Sequence, residues 1–223
     1  MKNKTPRRSC GHVFHTDPAM FVLVTYKPKP GVPNYVQVLC YPTPPGDAML
    51  TFLSPFDAWI EAIYSSKPGK LYRVIDATTF DPSELIANSS DQLNAGLHMG
   101  WAACDGKLLA KKNGELVGYM MLQTLKVAPF DAEDIVFTLS AENRKSVDLF
   151  HEKAGLFAYA ETLESSMKWD DQRLDQEVSL AMQNVPATCE ASAPDINQIA
   201  VYDLEGKQWH FVALADLIDK TPA

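Results

Sequence analysis

Trp101-Ala-Ala-Cys104, Asp105-Gly106, Lys107-Leu-Leu-Ala-Lys111, Asn113-Gly114 and Leu116-Val-Gly-Tyr-Met-Met-Leu122 follow one another with only Lys112 and Glu115 between them. Asp-Gly and Asn-Gly are the residue pairs that best tolerate the positive φ angles of a two-residue hairpin turn. The flanking segments are apolar and rich in residues suited to a pleated surface. Three strands joined by two tight turns follow, and with them an antiparallel sheet as the foundation of the fold.

Upstream, Met20 to Tyr26 is a β-branched and aromatic run that stops at Lys27-Pro28-Lys29-Pro30-Gly31. Tyr35 to Tyr41 repeats the pattern and stops at Pro42-Thr43-Pro44-Pro45-Gly46-Asp47, and Met49 to Leu53 opens a third run. Connections this short cannot carry a parallel crossover, so the sequence predicts an antiparallel meander. Ser54 then offers a helix cap, Pro55 suits the first helical position, and Asp57 stands three residues after the cap. Phe56, Trp59, Ile60, Ile63 and Tyr64 recur at helical spacing before Lys67-Pro68-Gly69 ends the element. Leu71 to Ile75 reads as a strand, and Asp81 opens a short helical turn through Ile86.

Downstream, Ile135 to Leu139 reads as a strand, Ser140 as a cap, and Ala141 to Ala154 as a helix ended by Gly155. Leu156 to Tyr159 looks strand-like. Trp169 to Gln183 carries Leu174, Val178 and Met182 four residues apart among charges, an amphipathic helix. Pro186 to Pro194 has linker composition. Ile199 to Leu204, Glu205-Gly206 and Gln208 to Val212 form a last hairpin, followed by a helical turn within Ala213 to Ile218. The expected organisation is a flexible basic tail over 1–17, an α+β domain over 18–185, and a hairpin-helix appendage over 195–223 packed on the main domain or on a partner. The fold class is α+β: a mainly antiparallel sheet, with the Ser54 and Ser140 helices on one face and the C-terminal hairpin extending it.

The chain has 223 residues, 46% of them apolar, 10% aromatic and 22% charged, enough apolar material to bury a core. Its formal charge of -8 disfavours nucleic acid and anionic membrane and favours a basic protein as partner. The basic cluster Lys2, Lys4, Arg7 and Arg8 leads into Ser9, Cys10, Gly11 and His12 rather than an apolar stretch, and the longest apolar runs are broken well short of a membrane span. Cys10, Cys40, Cys104 and Cys189 are scattered without paired spacing, as expected of reduced thiols in the cytoplasm.

Cys10, His12, His15 and Asp17 are potential metal ligands within eight residues, but in an extended chain His15 points away from the other two rings or thiols, and no second pair completes a tetrahedron. No metal is assigned. His98, His151 and His210 are too far apart in sequence to constrain any pairing with Cys40 or Cys104. With no nucleophile elbow, phosphate loop or dinucleotide fingerprint, no catalytic residue and no cofactor is assigned. The residues that stand out for binding are Trp169, Asp170, Asp171, Tyr202 and Trp209, aromatics beside the acidic run Glu161, Glu164, Asp170, Asp171, Asp175 and Glu177.

Gly114-Glu115-Leu116-Val117-Gly118-Tyr119, with Asn143, Leu149, Phe150, Lys153, Gly155 and Leu156, resembles the fourth strand and last helix of GNAT-type acetyltransferases. That resemblance implies an acyl-CoA loop between Gln123 and Leu139, where the sequence has no glycine, and a tyrosine acid where Phe150 stands. Phe52-Leu53-Ser54-Pro55-Phe56-Asp57-Ala58-Trp59, followed by Leu71 to Phe80, resembles the SseB-like small bacterial proteins, which implies an α+β binding module and no catalytic residue. The expectation from the sequence is a non-enzymatic protein-binding module, such as an accessory or immunity-type neutralising protein. A degenerate GNAT-like acyltransferase, or another enzyme whose site is assembled from distant residues, is the alternative. A homo-oligomer that exchanges the C-terminal hairpin is compatible with both.

Overall fold

The computed structural model describes residues 13–27, 35–44, 46–127, 134–190 and 196–217. Its strands are β1 (Val13–Asp17), β2 (Phe21–Tyr26), β3 (Val36–Val38), β4 (Cys40–Thr43), β5 (Gly46–Phe52), β6 (Tyr72–Asp76), β7 (Gln92–Cys104), β8 (Lys107–Ala110), β9 (Gly118–Lys126), β10 (Asp134–Thr138), β11 (Thr188–Glu190), β12 (Gln198–Asp203) and β13 (Gln208–Ala213). The helices are α1 (Pro55–Ser65), α2 (Ser83–Asn88), α3 (Ala141–Lys153), α4 (Tyr159–Ser166), α5 (Asp171–Gln183) and the single turn α6 (Leu214–Leu217). The α+β class holds. Among the described residues, no helix is long and apolar enough to cross a membrane.

The hairpin turns form as their residues dictate: Asp105 and Gly106 have φ of 49° and 74°, and Gly114 has φ of 83°. β7 pairs antiparallel with β8 through this turn, and β9 returns along the same edge of β7 from Gln92 to Trp101. β12 pairs antiparallel with β7 on its other edge, Ile199 opposite Ala102, so the C-terminal hairpin extends the sheet of its own chain. Farther along that edge, β7 pairs parallel with β5. The sheet is therefore mixed, and β11 adds a second parallel pairing, with β8.

β7 carries the architecture. Leu93, Ala95, Leu97 and Met99 belong to one core, whereas Trp101 and Ala103 belong to another. Strict alternation would put all six on one face. The register shift between His98 and Gly100 inserts the extra residue that turns the later pair over. Gly100, at φ of +153°, is where β12 crosses closest: a Cβ there would lie 2.5 Å from the Ala200 carbonyl oxygen.

Both faces of the sheet are thus covered. α1 and α5 pack on one, through Phe56, Ile60, Leu174 and Val178. α3 packs on the other through Val147 and Phe150, together with Ile86 of α2 and the two-stranded parallel ribbon of β1 and β10. The sequence expectation of both helices on one face is corrected here: β7 presents apolar side chains to either side, and each helix covers its own half. Fully burying side chains of this size contributes roughly 1.5–3 kcal/mol apiece, so each helix is held mainly by its stripe.

Three further expectations are revised. Val13–Asp17 is a strand rather than tail, anchored by Phe14, which is buried. Within the linker-like stretch, Thr188–Glu190 pairs as β11. The strand-like Leu156 to Tyr159 is a turn leading into α4, because Gly155 at φ of 78° ends α3 and the chain reverses into a second helix.

Candidate functional site

α1 begins as its residues direct: the Asp57 amide donates to the Ser54 hydroxyl oxygen at 3.3 Å. The reciprocal half of a capping box is not made. The Asp57 carboxylate instead lines a cleft of about 260 Å³, between the start of α1, the turn from α3 into α4, α4 itself and the end of β12. Segments around residues 54–57, 155–166 and 201–205 supply its walls.

The cleft is acidic. Asp57, Asp203 and Glu205 line it, and among the described residues no lysine, arginine or histidine does. Asp203 and Glu205 are engaged: one Asp203 oxygen accepts the Glu205 amide at 2.8 Å, the other lies 3.5 Å from His210 Nε2, and Glu205 accepts the Thr162 hydroxyl at 3.0 Å. Asp57 has no such partner. Burial pushes its carboxyl up to about 7, against the pull of the positive end of α1. Tyr159 is pushed up as well, first by burial and then by the Asp57 charge, so it stays a neutral phenol. Its ring stacks on His151 with centroids 3.4 Å apart.

On the rim stands Phe157, 82% exposed. A phenyl ring left in water beside a concave acidic surface has the composition of a binding anchor.

No family model, no curated protein and no solved structure matches this chain. Function must therefore come from the side chains themselves.

The residues that the sequence brought forward for binding lie elsewhere or inside. Tyr202 is 4% exposed, stacked on Phe56 at 5.6 Å and edge-on to Trp209 at 5.3 Å, and only borders the cleft. Asn184 lies near enough to offset part of the burial that pushes the Tyr202 phenol up, but no hydrogen bond of acceptable geometry reaches the hydroxyl. The Trp209 indole donates to the Ala181 carbonyl at 3.0 Å. Trp169 is half-buried, with the Arg173 guanidinium 4.3 Å over its ring, and Asp170 caps α5 by accepting the Arg173 amide at 2.9 Å. Asp171, in the first turn of α5, is exposed. The structure brings Tyr202 and Trp209 together, Tyr202 within the core and Trp209 half-buried against it. Asp170 and Asp171 serve the helix terminus.

The histidines do not assemble a reactive group. His98 is buried between Phe52 and Trp101 with both ring nitrogens unpaired, and burial lowers it to about 3. His151 Nδ1 donates to the Val147 carbonyl at 2.8 Å, and burial lowers the imidazole to about 4. His210 faces Asp203 from behind the cleft wall. Cys40, half-buried, has its thiol pushed up to about 12 by burial and by Asp47, which leaves it unreactive. Phe150, singled out by the acetyltransferase resemblance, lies in the core away from the cleft. Of the metal-ligand types near the start, Cys10 and His12 lie outside the described residues. His15 stands 3.6 Å from the Asp134 carboxylate, and Asp17 stands 3.6 Å from the Arg144 guanidinium.

Sequence reasoning missed Asp57, Tyr159, Phe157 and Glu205 as a group. Asp57 carries a sequence signal, but that signal is one of a helix start rather than of a cleft.

Proposed function

We propose that this chain is a cytoplasmic, non-enzymatic protein-binding module, an accessory or immunity-type neutralising protein, that grips a basic partner at the cleft beside Phe157. The observation that carries this reading is the pairing of an 82% exposed phenyl ring with a concave wall lined by three carboxylates and, among the described residues, no cation. The formal charge of -8 extends the same preference to the whole surface and speeds encounter with a basic protein. Among the described residues, no disulfide joins Cys40, Cys104 and Cys189, which fits a reducing compartment.

A second reading, an enzyme with a site assembled from distant segments, draws on Asp57 alone, whose titration near 7 suits proton transfer. The serine and threonine hydroxyls that line the same cleft are engaged elsewhere, Thr162 donating to Glu205, Ser166 to the Leu163 carbonyl and Ser54 accepting the Asp57 amide, which suits the carboxyl to pairing rather than to bond making. Affinity capture from the native host separates the two. The intact chain should retain a basic protein at moderate salt, and Phe157→Ala and Glu205→Lys should each lower its recovery at least about tenfold, as removal of a binding anchor does. Recovery that ignores both substitutions sinks the proposal. So does a clear rise in melting temperature with acetyl-CoA or a nucleotide that Asp57→Asn abolishes.

A further inference from the structure

Resting on that reading, we infer that the cleft is the pocket for an arginine side chain of the partner protein, with the Asp57 carboxylate as its counter-charge and Phe157 as the ring at its mouth. Two observations on different elements converge. Asp57 is the cleft carboxylate without a partner, whereas Asp203 and Glu205 are engaged by neighbours. Phe157 stands exposed on the rim, where a planar cation can stack. A space of about 260 Å³ takes one long side chain rather than a folded segment.

Arginine fits better than lysine. Its guanidinium binds a carboxylate through two parallel N–H donors, stacks on aromatic faces, and sheds water more readily than an ammonium. Charge complementarity is one-sided: the groups facing Asp57 are the Tyr159 phenol from α4 and the Asp203 and Glu205 carboxylates from the hairpin, and among the described residues the walls contribute no competing cation. A guanidinium seated against the half-buried Asp57 carboxylate offsets part of the hydration that the carboxylate has lost.

The test uses the full chain, isotopically labelled, with N-acetyl-arginine amide as probe in two-dimensional amide NMR titrations. Shifts are expected to cluster at residues 54–57, 155–159 and 203–205. Affinity should be about tenfold weaker or more at pH 5.5 than at pH 8, because protonation of Asp57 removes the counter-charge. Asp57→Asn should weaken binding about tenfold at pH 8 and flatten the pH profile, while Glu205→Gln weakens it less and leaves the profile in place. The neutral isostere N-acetyl-citrulline amide should not bind. The inference is overturned if citrulline amide binds as well, if Asp57→Asn binds as tightly, or if no shift appears up to about 20 mM probe, the weak limit expected for one such contact. Putrescine binding as tightly as the arginine probe would also overturn it, by pointing to a free amine as ligand. If arginine amide fails while host-partner capture still depends on Phe157, the pocket assignment falls and the binding reading stands. If both fail, both fall.

Discussion

Gly100 shows how much one missing side chain can decide. The strand crossing above it leaves no room for a methyl group, since a Cβ would lie 2.5 Å from the Ala200 carbonyl and 2.9 Å from an Ile199 methyl. Backbone cannot yield as a flexible side chain can, so Gly100→Ala should lower stability by more than about 2 kcal/mol. Urea unfolding of the two proteins measures it. Unchanged stability would mean that β12 does not cross there. Gly106, Gly114 and Gly155 have nothing within 4 Å of an added Cβ, so their role is conformational alone. Asp57 shows the opposite limit of legibility. Its position after Ser54 and Pro55 announced a helix start, and the start is where it was expected. The same position conceals the rest, because the segments that face it are about a hundred residues and more downstream and no spacing in the sequence ties them to it.

Elements with local instructions were readable, and those fixed by distant pairing were not. α1, α3 and α5 are each capped by the side chain expected or by its neighbour, Ser54, Ser140 and Asp170. α4 lacks a side-chain cap, and Leu156-Phe157-Ala158-Tyr159 has strand-like composition, so only the packing of the turn makes it helical. The first nine residues of β7, Gln92 to Gly100, carry two glycines and an asparagine, and their partner β9 hides their strand character until the sheet is assembled. β10 is legible from its own composition over Ile135 to Leu139, but β1 and β11 pair in parallel with segments far away, which turn chemistry cannot announce. One side chain does the work of backbone between such pieces. Gln123 of β9 donates to the Thr138 carbonyl at 2.7 Å and accepts from the Ser140 amide and the Asn143 side chain, each at 3.0 Å. It thereby fastens the β1–β10 ribbon and the start of α3 to the main sheet. Gln123→Ala should cost roughly 1–3 kcal/mol and raise amide hydrogen exchange at Ser140 and Asn143 before the rest of the chain. Uniform exchange across the molecule would refute a local bridge.

The whole molecule balances opposed proton linkages. His98 binds a proton near 6.5 when unfolded and only near 3 when folded, so between these values the unfolded chain holds more protons and stability rises with pH. His151, lowered to about 4, acts in the same direction. Asp57 ionises near 3.8 unfolded and near 7 folded, so across that window the folded chain holds more protons and stability falls as pH rises. Glu61, pushed up first by burial, adds to this side. Removing one weight should therefore unmask the other. Relative to the parent, His98→Phe should lose less stability between pH 7 and pH 4.5 and Asp57→Asn should lose more, each on the order of 2–3 kcal/mol. Chemical denaturation at the two pH values reads this as a difference, so any constant packing cost of the phenyl ring cancels. Parallel curves for all three proteins would show that neither group is dehydrated by folding. The extra residue in β7 has a consequence of its own. It lets one continuous strand serve as the inner wall of two separate cores, so the two compartments are phase-locked by a single unit of length. Deleting Met99 would restore strict alternation and leave Trp101 and Ala103 facing their own core, whereas one further residue inserted there in regular alternation would turn both into the wrong compartment, and a loop after Cys104 can gain or lose residues without exchanging inside for outside.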